Sequence, residues 1–591
     1  MRSDDRPFPP TGHDIARRHF RWFMLAAFAV LAAGIGLRDP WPPDEPRFAL
    51  VVRQMLASGQ WLFPHRGIEL YADKPPLMMW CQAALSWLLH GWRGAFLLPS
   101  LLAGLGTLAT VYHLGRRLWD ARTGLVAATL VLAAMQFVDV AKHAQIDPLL
   151  LLWITLGNAG LLLHCLRGPD WRAYWLGCFA AGLGVITKGV GVLVLLMLVP
   201  YAWARWHGWP GLAAAPGGGS NDGNPAGAGR SHPPHERRGD GWRWAGGALA
   251  FLLPILLWLL PMLAVAYAHH TPAYLRYVHD LLFRQTAERY AHAWAHHQPP
   301  WYFLGVMAQD WFPTCLLVPL LLPAWRRALR GREPRVLLPL GWWLLALAFF
   351  SLSGGKRAIY LLPALPMAAL AMAPYTGPLL RTRWLPRLAF ALGLAMGVAF
   401  VGAGLWGWLG QPRVALRIAA GLELAHGGRA LWWCVLATGA AFLLAAAAFR
   451  PRRGTAALLA GLAAAWVVWS CSTWPLLNDN RSARALMRRA DALAGPQGQL
   501  ALVQWREELM LQARRPVVEF GFSRPPGRQL RMALAWQSRA PARRWILLDG
   551  EALALDACID PARAARLGVA NRNTWWMFDA TALRPACRMP P

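Results

Sequence analysis

Residues 17–48 read RRHFRWFMLAAFAVLAAGIGLRDPWPPDEPRF. Arg17, Arg18 and Arg21 precede the apolar run Trp22–Leu37, and Asp44-Glu45 follow it. A run of this kind is about long enough to cross a bilayer. No small-residue cleavage pattern follows it, so it reads as a retained first helix with its basic end in the cytoplasm. Comparable runs recur as far as Trp474, in a chain of 591 residues that is 56% hydrophobic and 15% charged. Soluble domains carry roughly 25% charged residues, so this composition belongs to a membrane protein.

The arginines set the topology. Short basic bursts at the N-terminus, Arg116/Arg117/Arg122, Arg167/Arg172, Arg205 through Arg243, Arg326 through Arg335, Arg381/Arg383/Arg387 and Arg450/Arg452/Arg453 mark cytoplasmic loops. Two apolar spans fit between consecutive bursts and one more, at 455–474, follows the last, which predicts about 13 transmembrane helices. The net charge of +30 is spread in these bursts, a topological pattern. It does not form the basic soluble domain that nucleic acid would need, and no Walker A or Rossmann glycine pattern is present. Gly208–Gly241, rich in Gly, Pro, Asn and His, reads as a flexible cytoplasmic linker, with His232 and His235 as solvated loop residues.

From about Leu477 the sequence turns polar. Leu500–Trp505, Val517–Phe522 and Trp545–Leu548 read as strands, and Arg481–Leu493 and Pro561–Leu567 as helices. The expected architecture is an all-α polytopic membrane protein, residues 1–476, followed by a small α/β domain on the outer side, residues 477–591. Cys558 and Cys587 in that domain are either a disulfide or two unrelated thiols.

Polar residues gather in the outer loops. The first, about 38–93, holds Asp44, Glu45 and Asp73-Lys74-Pro75-Pro76, then Leu77–Leu89, too short to span and expected to lie in the interface. Later loops carry Lys142, His143 and Asp147; Lys188; Arg289 and Tyr290; and Lys356, Arg357 and Tyr360. The chain has four lysines among 60 basic residues, and all four fall at outer helix ends. A compact ammonium suits a phosphate oxygen in a way that a guanidinium fork does not reproduce. Ionisable groups at membrane helix ends are costly and usually functional. Arg38, Arg53 and Arg93 read as snorkelling or loop residues.

Asp44-Glu45-Pro46-Arg47-Phe48 with Ser58-Gly59-Gln60-Trp61, Asp73-Lys74-Pro75-Pro76-Leu77 with Trp80, Gln285–Tyr290 with His297–Tyr302, and Phe350–Lys356 with Tyr360 and Pro363 form a series. It resembles polytopic GT-C glycosyltransferases of the aminoarabinose-transferase and protein-mannosyltransferase-like group, over about 20–380. The resemblance implies a bacterial inner-membrane enzyme with a periplasmic site. Its donor would be a polyprenyl-phosphate-linked sugar, and its acceptor a glycolipid such as lipid A or a protein or polymer hydroxyl. On this reading Asp44 is the general base, with Glu45 and Asp147 positioning the acceptor or stabilising charge on the sugar. Lys74, Lys188, Arg289 and Lys356, with Tyr290 and Tyr360, hold the leaving phosphate. Some relatives bind a divalent metal through the acid at Asp73 and a fourth-loop histidine. Here the aligned position is Thr286, with His279 or His292 as substitutes, which leaves the metal open. A lipid or sugar transporter is the alternative, suggested by the helix break at Thr187-Lys188-Gly189.

Overall fold

The computed structural model describes residues 12–212, 241–283, 298–410, 412–555 and 558–584. Helices dominate up to Arg481, and a five-stranded sheet follows. Among the described residues, eight helices are long and apolar enough to cross a membrane, or up to ten if each of two bent pairs is one span. This is fewer than the 13 expected. The first helix, Gly12–Ala32, carries its arginines inside the helix. Trp171–Lys188 is only 18 residues long with Arg172 and Lys188 near its ends. Val190–Trp206 is a shorter apolar helix.

The two bent pairs meet at their breaks. Ala121–Ala133 and Met135–Ala141 bend by 73°, and Tyr302–Asp310 and Thr314–Arg330 by 114°. Backbone groups freed in a bilayer must find partners inside the protein. Here the Met135 amide donates to the Phe312 carbonyl at 3.1 Å. The Gln136 amide donates to Ala358 O at 3.0 Å, and its oxygen accepts from the Trp311 indole at 3.0 Å.

Helices 146–167 and 171–188 pack through glycine. A Cβ on Gly177 would sit 2.9 Å from Gly157 O and 3.1 Å from Gly160 Cα, so only hydrogen lets the backbones approach. Gly241–His269 shows the opposite face of membrane packing, with Leu249 66% and Leu257 67% exposed to the lipid side. The Leu77–Leu88 helix is no span. It buries Met78, Met79, Gln82 and Ala83, and ends in the exposed side chains Trp87, Leu88 and Leu89.

The strands are β1 (His65–Arg66), β2 (Glu69–Leu70), β3 (Gln499–Leu502), β4 (Val517–Glu519), β5 (Arg544–Asp549), β6 (Ala565–Ala570) and β7 (Asn573–Phe578). β1 and β2 form a hairpin in the first outer loop. The C-terminal sheet has the order β4-β3-β5-β7-β6, with β3 parallel to β4 and β5, and β7 antiparallel to β5 and β6. Pro561–Leu567, expected to be helical, is a turn leading into β6. Its alanines and arginines favour a helix in isolation, but pairing with β7 through Asn571 and Arg572, at φ 51° and 70°, overrides that preference. Cys558 is disulfide-bonded; Cys587 lies outside the described residues.

Side chains alternate along β3. Leu500 and Leu502 face one core, with Leu486, Met487 and Leu547; Ala501 faces the other, with Ile546, Leu530 and Ala533. The first core also contains Ala49 and Leu50 of helix 45–58. The first outer loop is therefore built into the sheet domain. Polar links reinforce the joint. Arg47 and Arg66 both reach Glu507, at 3.2 and 2.5 Å, and the Ile68 amide donates to Glu519 at 2.6 Å.

Beside this joint, burial pushes the Glu508 carboxyl up to about 7, with its neighbour Glu507 adding to the shift. Its neutral form is thus favoured in the fold. An acid raised in this way contributes stability below its unfolded pKa, and that contribution is lost as pH rises through its folded value. Melting of the full chain is expected to shift downward between about pH 5 and pH 8, and Glu508→Gln should flatten that slope. An unchanged slope in the variant would place the titration elsewhere.

Candidate active site

Asp44 and Glu45 are neighbours with different fates. Glu45 is buried, and both its oxygens are taken. The Arg38 guanidinium grips it from both nitrogens, Nη2 to Oε1 at 2.7 Å, and the Trp41 and Ala144 amides each donate to it at 2.8 Å. Arg38 itself lies under Trp41 and Trp474, 5.0 and 4.7 Å from the ring centroids, and donates to Lys142 O. Burial pushes the Glu45 carboxyl up, but Arg38, with His143 and the Trp41 amide, together hold the acid below its usual value. Arg38, which reads from sequence as a snorkelling residue, is a buried partner. Its one signal was its place directly after an apolar run, seven residues before an acid.

Asp44 precedes helix 45–58 but makes no side-chain cap hydrogen bond to it. Its oxygens stand 3.8 Å from Arg47 and 3.9 Å from Arg357, beyond hydrogen-bond length, and the side chain is 25% exposed. It is an ionisable carboxylate flanked by cations and open to a ligand.

One apolar cluster joins the loops around it. Phe48, Val51 and Met55 of helix 45–58 pack with Tyr71, Met78 and Met79, and with Ile146 and Leu149 of helix 146–167. That cluster brings half-buried Lys74 and the start of helix 146–167 to the same end of the bundle. Asp147, in the first turn of this helix, is buried against the Lys188 ammonium at the end of the next. Gly189, at φ 83°, lets the chain turn away directly after Lys188. Lys188 Nζ also sits 4.8 Å from the Tyr360 ring centroid. Tyr360 belongs to the 3₁₀ segment Ala358–Ala364, which packs on helix 146–167 and follows Arg357. Asp44, Arg357, Tyr360, Lys188 and Asp147 thus form a run of neighbouring groups drawn from four separate loops.

The other lysines are used differently. Lys142 donates to the carbonyls of Val30 and Ala33, each at 2.7 Å, and closes the end of the first helix. Lys356 donates to Gln298 O at 2.9 Å and Ser353 O at 2.6 Å. Arg289 and Tyr290, with Thr286, His292, His296 and His297, lie outside the described residues. His279 is exposed beside Asp280. Asp73, the position whose acid is a metal ligand in some relatives, stands close enough to Arg66 and Tyr71 to act on both. Among the described residues no three His, Cys, Asp or Glu side chains converge. The fourth-loop histidines that could complete such a set lie outside the described residues, apart from exposed His279, so no step below runs through a metal.

A family model for dolichyl-phosphate-mannose-protein mannosyltransferases matches residues 73–212. The undecaprenyl phosphate-alpha-4-amino-4-deoxy-L-arabinose arabinosyl transferase of Edwardsiella ictaluri is 30% identical over 409 residues, 66% of this chain and 67% of the relative. This chain belongs to that family. The Pectobacterium carotovorum enzyme of the same name is 29% identical over 68% of each chain. The fold matches the crystal structure of ArnT from Cupriavidus metallidurans bound to undecaprenyl phosphate, with a TM-score of 0.68 and 19% identity over 96% of this chain and 99% of that one. The protein is a membrane glycosyltransferase of GT-C fold, multi-pass in the inner membrane with its active site facing the periplasm, and its donor is a polyprenyl-phosphate-linked sugar.

Proposed function

We propose that this enzyme moves a sugar from undecaprenyl phosphate onto an anionic glycolipid of the lipid A type, with Asp44 as the general base. The observation that carries this reading is the contrast at the site. Glu45 and Asp147 are buried in ion pairs, whereas Asp44 is held only loosely between two guanidiniums. In this reading an acceptor oxygen attacks the anomeric carbon and its proton passes to Asp44. The bond from that carbon to the phosphate oxygen breaks, and polyprenyl phosphate leaves with the electron pair, inverting the centre. Lys188, Lys74 and the remaining N–H of Lys356, with Arg289, Tyr290 and Tyr360, meet the charge growing on the phosphate. Asp147 holds Lys188 in place, and Glu45 holds the backbone before Asp44 through Trp41. The membrane part is assigned to 1–476 and the periplasmic domain to 477–591, with helix 45–58 completing the latter's core.

The test is sugar transfer in proteoliposomes, with a panel of undecaprenyl-phosphate sugars offered against lipid A and against protein acceptors. Transfer to lipid A is expected. Lys188→Met is expected to raise the barrier by about 2–4 kcal/mol, as for loss of one oxyanion donor, seen in kcat per folded enzyme because the change also leaves Asp147 without its buried partner. Transfer only to protein would overturn the acceptor. Labelled lipid crossing the bilayer with no donor consumed would point to a transporter.

A further inference from the structure

A second basic feature lies away from the run of groups around Asp44. A cleft of about 300 Å³ opens between the start of the helix at Trp92–Ala95 and the sheet domain. Arg93, Arg484, Arg488 and Arg514 line it, with Leu511 as an apolar wall. Two acids offset part of this charge. Asp39 meets Arg484 at 2.5 Å and Arg93 at 3.6 Å, and Asp479 meets Arg488 at 2.6 Å. Among the described residues, four guanidiniums line the cleft and two carboxylates meet them in the ion pairs just given. Arg514 is exposed and has no ion pair among the described residues. Such forks suit a phosphate, whose oxygens accept paired N–H donors.

The surroundings say where that phosphate comes from. Trp87, Leu88 and Leu89, 74%, 61% and 53% exposed, end the short helix just before Arg93. A Trp-Leu-Leu edge on a helix too short to span sits at the level of lipid headgroups. Arg93, on the wall of the cleft, follows this edge by four residues in sequence, which favours a lipid as the source of that phosphate. The cleft is also tied to the active site, because Asp39 adjoins Arg38, the partner of Glu45, and lies five residues before Asp44.

We infer that this cleft binds a phosphate group of the acceptor glycolipid and so positions its reacting oxygen toward Asp44. This rests on the glycolipid reading of the acceptor given above. The recognised chemistry is a phosphate monoester on a lipid embedded in the outer leaflet.

The experiment uses the full chain in nanodiscs of neutral lipid and measures binding of fluorescent bisphosphorylated lipid A. Competitors are its dephosphorylated form, phosphatidylglycerol and inorganic phosphate. Sugar transfer is measured in parallel. Arg93→Gln/Arg514→Gln changes two exposed side chains, and Arg514→Glu alone is the second variant should the double variant express poorly. Each is expected to weaken the phosphorylated lipid about tenfold or more and to raise its KM, with little effect on the dephosphorylated form or on donor binding. Binding indifferent to both variants would overturn the cleft even if transfer to lipid A persists. Equal competition by phosphatidylglycerol or by inorganic phosphate would overturn a glycolipid ligand. Arginine-dependent binding without any transfer to lipid A would leave the cleft standing and remove the acceptor reading.

Discussion

Asp44→Asn is expected to lower sugar transfer by about 10²–10⁴-fold, the range for losing a general base. The variant keeps the size of the side chain and cannot accept a proton. Its fold should survive, because ion pairs at the distances of Arg47 and Arg357 are worth about 0–1 kcal/mol. The measurement is kcat on protein whose melting temperature matches wild type, with donor binding followed separately. Asp44→Glu should recover part of the rate, since the carboxylate returns slightly displaced. Full activity in the Asn variant would remove Asp44 from the chemistry and move attention to Asp147.

Glu45→Ala should act through stability. Removing the acid leaves the Arg38 guanidinium buried without its counter-charge, and breaking a buried pair from one side costs about 3–5 kcal/mol. Two backbone amides, of Trp41 and Ala144, also lose their acceptor. A marked fall in the melting temperature of the detergent-solubilised protein is the expected readout, with loss of transfer following the loss of folded enzyme. Adding Arg38→Met should recover part of the stability, because a neutral chain of similar length then fills the space. A Glu45→Ala protein that melts like wild type and yet is inactive would show that Glu45 acts on the substrate itself. The two adjacent substitutions thus separate by readout, one in rate and the other in folding.

That separation marks how far sequence reaches here. Asp44 and Glu45 share a loop and a chemical type, and both read as candidate acids. Their difference comes from Arg38, which folds back onto one of them beneath Trp474, a residue more than four hundred positions away. The four lysines show the same divergence. Lys188 finds Asp147 and Tyr360, whereas Lys142 is spent on the carbonyls of the first helix. Scarcity singled them out together, and only packing sorted them. Arg357 was legible as a loop residue beside Lys356; its nearness to Asp44 was not. In the C-terminal domain the strands with alternating apolar residues were legible. The β6–β7 hairpin was not, because its alanine-rich approach favours helix locally and its turn depends on two residues at positive φ.

By itself the sequence determined the class of protein that a bilayer demands: long apolar runs, basic bursts between them, and polar residues gathered at helix ends. A lipid environment tolerates few exceptions, so these features are written in composition and spacing. Where helices are shorter, bent or charged, as at Gly12–Ala32 and around Pro313, length alone misjudges the span. The tertiary structure decided which acid is paired and which stands open. It seated helix 45–58 in the core of the sheet domain and made a basic cleft from arginines on segments distant in sequence. Those outcomes depend on which side chains desolvate one another, and that is a property of three-dimensional neighbours that no local pattern encodes.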